Sequence, residues 1–163
     1  MRWALILGLL GSCGGPAKPR LPYVHLVVAG EPLKAYLDGA RAWSELGFTV
    51  GLEDQGKPEC PSTWRREPLA TSCQFSIALR REPGLRLRTG TNALAWRPFR
   101  EIVIDTDVVN YYDLIISVAH EVGHVLLDTS AHTKTGVMSG AVWALEPEDR
   151  ALACVQVPKT CVR

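Results

Sequence analysis

Apolar residues along the chain alternate in some stretches and recur every three to four residues in others, and the change of period marks the elements. Tyr23 to Val28 alternates and is β-branched in places, which predicts a strand. Glu31-Pro32 suits the opening turn of a helix. Leu33, Tyr36, Leu37, Ala40 and Trp43 then follow at helical spacing, and Gly47 closes that helix. Phe48 to Leu52 reads as a second strand. Glu53 to Ser72, rich in Pro, Gly and Ser, reads as a surface loop. Phe75 to Leu79 and Glu101 to Asp105 are further strands, with an irregular edge strand or hairpin between Leu85 and Trp96. From Asp107 or Asn110 to Leu127 the pattern is helical. Leu114, Val118, Val122 and Val125 share one apolar face, which Ile115 and Ala119 widen. Glu146-Pro147-Glu148-Asp149 opens a last helix, acidic in its first turn as the helix dipole favours. This order predicts an α+β or α/β domain built on one shared sheet.

The chain has 163 residues, enough for one core but hardly two. Its formal net charge of +1 exerts no global pull on a polyanion, so no nucleic-acid partner is expected. A monomer is expected. Met1-Arg2 and the apolar run Trp3 to Leu10 have the length of a signal segment, too short to span a bilayer. Leu10-Gly11-Ser12-Cys13 follows, and resembles a bacterial lipobox, which implies that Cys13 is lipidated and becomes N-terminal. The plainer alternative is a secretory signal cut near Gly14 or Gly15. The expected organisation is a signal peptide at 1–12, lipidated cysteine and tether at 13–22, and one catalytic domain at 23–163. An exported, membrane-anchored protein with its domain on the extracytoplasmic side follows. Gly14 lacks the Asp associated with inner-membrane retention in resembling lipoproteins, which points to the outer membrane of a Gram-negative envelope.

Five cysteines are an odd number for an oxidising compartment, and assigning Cys13 to lipid leaves Cys60, Cys73, Cys154 and Cys161. None has the Cys-x-x-Cys spacing of a zinc knuckle, so disulfides are the better reading. Three pairings are possible, of which Cys60–Cys73 with Cys154–Cys161 is the most local.

His120-Glu121-Val122-Gly123-His124 carries the chemistry. Residues four apart share a helix face, so both imidazoles can reach one Zn²⁺ at ~2.0–2.1 Å without backbone strain. Glu121 is offset around the helix and can meet a water as general base. Three of the four histidines, His120, His124 and His132, fall within thirteen residues. Lys, Glu and Arg are scarce there, so a solvated helical face is the poorer reading. A third ligand is needed. Asp128 would sit one turn beyond His124, too far along the axis. His132 is better placed, because Asp128-Thr129-Ser130 can end the helix and turn the chain back. Glu146, Glu148 or Asp149 is the remaining alternative.

His120-Glu121-x-x-His124, the later His132 and then Thr135-Gly136-Val137-Met138-Ser139 resemble the metzincin clan of zinc peptidases. The resemblance implies a third histidine ligand after the helix and a methionine, Met138, in a tight turn beneath the metal. It implies a small α+β zincin domain: a twisted mixed sheet, an active-site helix and a C-terminal helix. It also implies one zinc ion and a peptide or protein substrate. Two departures stand out. Leu127 occupies the place of the clan's glycine, and seven residues rather than five separate His124 from His132. The longer loop can turn two residues later, with Asp128 in the left-handed conformation that Asp tolerates.

Two other functions fit the same residues: a surface lipoprotein that binds zinc without turnover, and a zinc amidase acting on a non-peptide or cell-wall amide. Glu121 favours a hydrolase, since a structural site has no need of it. Arg65, Arg66, Arg80, Arg81, Arg86, Arg88, Arg97 and Arg100 make a local basic excess that reads first as solvated surface, and second as a preference for acidic peptides or lipid headgroups. Trp143, shortly after Met138, is the candidate for a substrate pocket.

Overall fold

A computed structural model describes residue 21 and residues 23–30, 34–52 and 74–161. The signal segment, Cys13, the tether, the Glu31-Pro32 helix start, Arg65, Arg66, Cys60 and Cys73 lie outside the described residues. Five strands, β1 (Tyr23–Val28), β2 (Thr49–Leu52), β3 (Gln74–Glu82), β4 (Ala93–Trp96) and β5 (Glu101–Asp105), form one sheet in the order β2-β1-β3-β5-β4. Every pairing is parallel except β4 with β5, which is antiparallel and leaves β4 at the edge. Helices α1 (Lys34–Arg41), α2 (Leu85–Thr89), α3 (Tyr111–Leu127) and α4 (Pro147–Gln156), with short 3-10 turns between and after them, complete the described elements. The fold is therefore α+β with a mixed sheet and a C-terminal helix.

One face of the sheet is apolar because its alternate residues are. Val24 and Leu26 of β1, Ile77 and Leu79 of β3, and Ile102 and Ile104 of β5 are all at most 1% exposed. They share a core with Tyr36 and Ala40 of α1, and with Val118, Ala119, Val122 and Leu126 of α3. Each fully buried aliphatic side chain contributes about 1.5–3 kcal/mol relative to exposure, so this layer holds α3 firmly against the sheet.

Two stretches differ from the pattern-based reading. Leu85–Thr89 is a single helical turn rather than part of a hairpin, bracketed by Gly84 and Gly90, both left-handed. Strand β3 continues to Glu82, past the apolar run, because Arg80 pairs with both Glu82 and Glu101 of β5. At the C-terminus Cys154 and Cys161 form a disulfide, closing the end of α4 onto the short 3-10 turn that follows. No described helix is long and apolar enough to cross a membrane.

Candidate metal centre

Helix α3 begins at Asn110, whose side chain accepts hydrogen bonds from the backbone N–H groups of Tyr112 (2.8 Å) and Asp113 (3.4 Å). From that start the helical repeat carries His120 and His124 to one face, with ring centroids 4.6 Å apart. The helix does not end where a glycine would have ended it. Leu127 is buried and helical, and Asp128 takes the left-handed conformation (φ 46°, ψ 45°) instead. The chain then folds back along the helix end, with Thr129 N–H on the His124 carbonyl at 3.3 Å. His132 arrives with its ring 5.1 Å from that of His120 and 4.9 Å from that of His124. One ring nitrogen from each of the three lies within 4.8 Å of the others. Among the described residues this is the group of His, Cys, Asp or Glu side chains able to hold a metal ion.

The hydrogen bonds behind the rings decide what faces the centre. His120 Nδ1 lies 2.9 Å from the carbonyl of Val137, and His124 Nδ1 lies 2.8 Å from that of Thr129. A carbonyl only accepts, so each Nδ1 carries the proton and each Nε2 presents a lone pair. Those two Nε2 atoms are 3.1 Å apart. Two lone pairs at that distance repel unless a cation lies between them. Ligands ~2.0–2.1 Å from one tetrahedral ion stand about 3.3 Å apart, so the pair fits a metal ion closely. Burial pushes the pKa of His120 down, and that of His124 down to about 4, so both imidazoles stay neutral near pH 7 and free to ligate.

The four acidic alternatives are engaged elsewhere. Asp128 keeps its carboxylate largely in solvent, 3.6 Å from Arg97. Glu148 accepts from the backbone of Lys134 and Thr135, and Glu146 caps α4 in a reciprocal capping box with Asp149. Asp149 is fully buried. Its Oδ1 accepts from Met138 N–H (2.9 Å) and Thr133 Oγ1 (3.0 Å), and its Oδ2 from Val137 N–H and Glu146 N–H (both 2.9 Å). It thus holds the 3-10 turn Val137–Ser139, whose Val137 carbonyl orients His120. In the sequence Asp149 reads as a possible ligand or a helix-start acid, and this role does not show. The available signal was its position three residues after the cap at Glu146.

Met138 is fully buried beneath α3. A Cβ on Gly123, between the two histidines, would stand 2.5 Å from its sulfur and press on the Trp43 ring, so only glycine lets the turn approach. Glu121 is also buried. Desolvation raises its carboxyl pKa to about 7, opposed by a hydrogen bond from the Ala95 backbone. It lines a cleft of about 530 Å³ together with the three histidines, between α3 and the 91–95 stretch that leads into edge strand β4. Gly140 contributes to the cleft beyond the Met138 turn, whereas Trp143, half-exposed, is absent from its lining. Three histidines able to hold one metal ion, with a buried carboxyl in the same open cleft, define the centre. Among known proteins, no family model and no curated sequence matches this chain.

Proposed function

We propose that the protein is a zinc-dependent endopeptidase of metzincin type, with His120, His124 and His132 as metal ligands and Glu121 as general base. The observation that carries the reading is the pair of carbonyl-locked imidazoles whose Nε2 atoms face each other at 3.1 Å, joined by His132 and flanked by Glu121 in one cleft. Three imidazoles are a donor set that suits zinc. When bound, zinc supplies Lewis acidity toward a water and the scissile carbonyl. Glu121 takes a proton from the attacking water and returns it to the amide nitrogen as the C–N bond breaks. Burial of Glu121 makes its carboxylate a stronger base for that proton. The lipobox-like Leu10 to Cys13 supports a domain exported and tethered to the cell envelope.

The test compares residues 14–163 and their Glu121→Ala form, both loaded with zinc, on a mixed peptide library. Cleavage by the unaltered chain alone, abolished by a chelator, is expected. One zinc per chain with no cleavage by either would replace the reading with zinc binding without turnover, or with a non-peptide amide as substrate. Equal cleavage by both would remove Glu121 from the chemistry.

A further inference from the structure

The arginine-rich stretch divides once its partners are placed. Arg80 pairs with Glu82 and Glu101, Arg88 with Glu82, and Arg81 donates to the carbonyls of Thr106 and Val108. Arg97 instead lines the metal cleft. It stands directly after β4, at the C-terminal end of α3, where its Nη1 donates to the Asp128 carbonyl at 3.0 Å. That bond uses one corner of a planar fork with five N–H donors. The Asp128 carboxylate is 79% exposed and 3.6 Å away, too hydrated to neutralise the guanidinium.

The charges in the cleft are unbalanced. Among its described lining residues Glu121 is the one acid and Arg97 the one permanent cation, and a divalent ion on the histidines would add two positive charges. A concave, partly desolvated wall concentrates that field. Thr129 and Ser130, next in the chain after Asp128, line the same cleft.

We propose that Arg97 is a specificity residue, and that the cleft takes a peptide whose Asp or Glu side chain lies against the Arg97 guanidinium at the C-terminal end of α3. The proposal rests on reading the cleft as a peptide site. Arg97 also caps α3, as a cation at a helix C-terminus does. Capping alone affects stability and leaves ligand choice untouched.

The zinc-loaded Glu121→Ala protein is titrated with short peptides scanned in matched pairs, Glu against Gln and Asp against Asn at each position. At one position the acid should bind about tenfold more tightly than the amide, as a bidentate charge-assisted contact allows. Added salt should weaken that preference. Arg97→Gln in the same background should abolish it, so that acid and amide peptides bind alike. Asp128→Asn, tolerated in the left-handed conformation, should keep or increase it. Equal binding of acid and amide at every position would overturn the proposal, as would a preference that survives Arg97→Gln or vanishes with Asp128→Asn. Cleavage by the unaltered chain is scored separately. Acid preference without cleavage would sink the peptidase reading and leave this subsite standing, and cleavage without acid preference would do the reverse.

Discussion

Trp43 donates its indole N–H to the backbone carbonyl of Ala119 at 2.8 Å, one residue before His120. The same ring abuts Gly123, so a side chain far away in sequence presses on the helix between its two histidines. Gly123→Ala inserts a methyl where Trp43 and the Met138 sulfur already meet. Overpacking of this kind costs about 1–3 kcal/mol, or several degrees of Tm in a domain of this size. Thermal unfolding of the variant, followed by circular dichroism, should show that loss. An unchanged Tm would mean the contact is looser than described.

Asp149 gathers four donors with no solvent to share them. Asp149→Asn keeps the shape but turns an NH₂ toward backbone N–H groups. It should cost about 2–3 kcal/mol in urea unfolding, and weaken metal retention against a chelator because Val137 no longer holds His120. Glu148→Gln, at an exposed carboxylate, should cost about 0.5 kcal/mol. Equal effects from the two variants would refute the role given to Asp149.

His124 gives the metal-free protein a pH dependence of known sign. Its folded pKa, about 4, lies below the ordinary 6.5, so protonation favours the unfolded chain. Its contribution is intact above pH 6.5 and is lost as pH falls from there toward 4. Glu121, raised to about 7, acts in the opposite sense over the same window and His120 in the same sense, so the comparison is made in a Glu121→Gln background. Chemical denaturation of that chelator-treated protein should show the decline, and adding His124→Gln should reduce it. A slope undiminished by His124→Gln would place the titration elsewhere.

The disulfide between Cys154 and Cys161 closes a short loop whose constraint is worth about 2 kcal/mol in the chain-entropy account. Reductant should therefore lower Tm while the metal content, measured by atomic absorption, stays constant. Loss of metal on reduction would tie the bridge to the centre.

The legible parts of this molecule are local ones. Helix α3 showed itself through its apolar stripe and Asn110, and the histidine pair through its four-residue spacing. The left-handed turn at Asp128 followed from Leu127 standing where a glycine was expected. The end of β3 was hidden because Arg80 and Glu82 break the apolar run, and only pairing with β5 keeps them in a strand. Five residues of α2 with Leu85 alone buried carry too little period to be recognised. Parallel order leaves no mark on strand composition here, and neither the Trp43 bond nor the Arg97 position could be read, since both join residues far apart in the chain. Asp149 was masked by a simpler explanation, its place in the first turn of a helix.

The three histidines, the turn that carries Met138 and the aspartate that fixes it all fall between residues 120 and 149. Strands β1, β2 and β3 supply no side chain to this group. For descent, the centre behaves as one heritable block. Substitutions can accumulate on the outer surface of the parallel strands without touching it, whereas deletion of one residue between Asp128 and His132 shifts His132 and the Val137 carbonyl out of step together. Lineages of this protein should therefore diverge first in the sheet and last in that run.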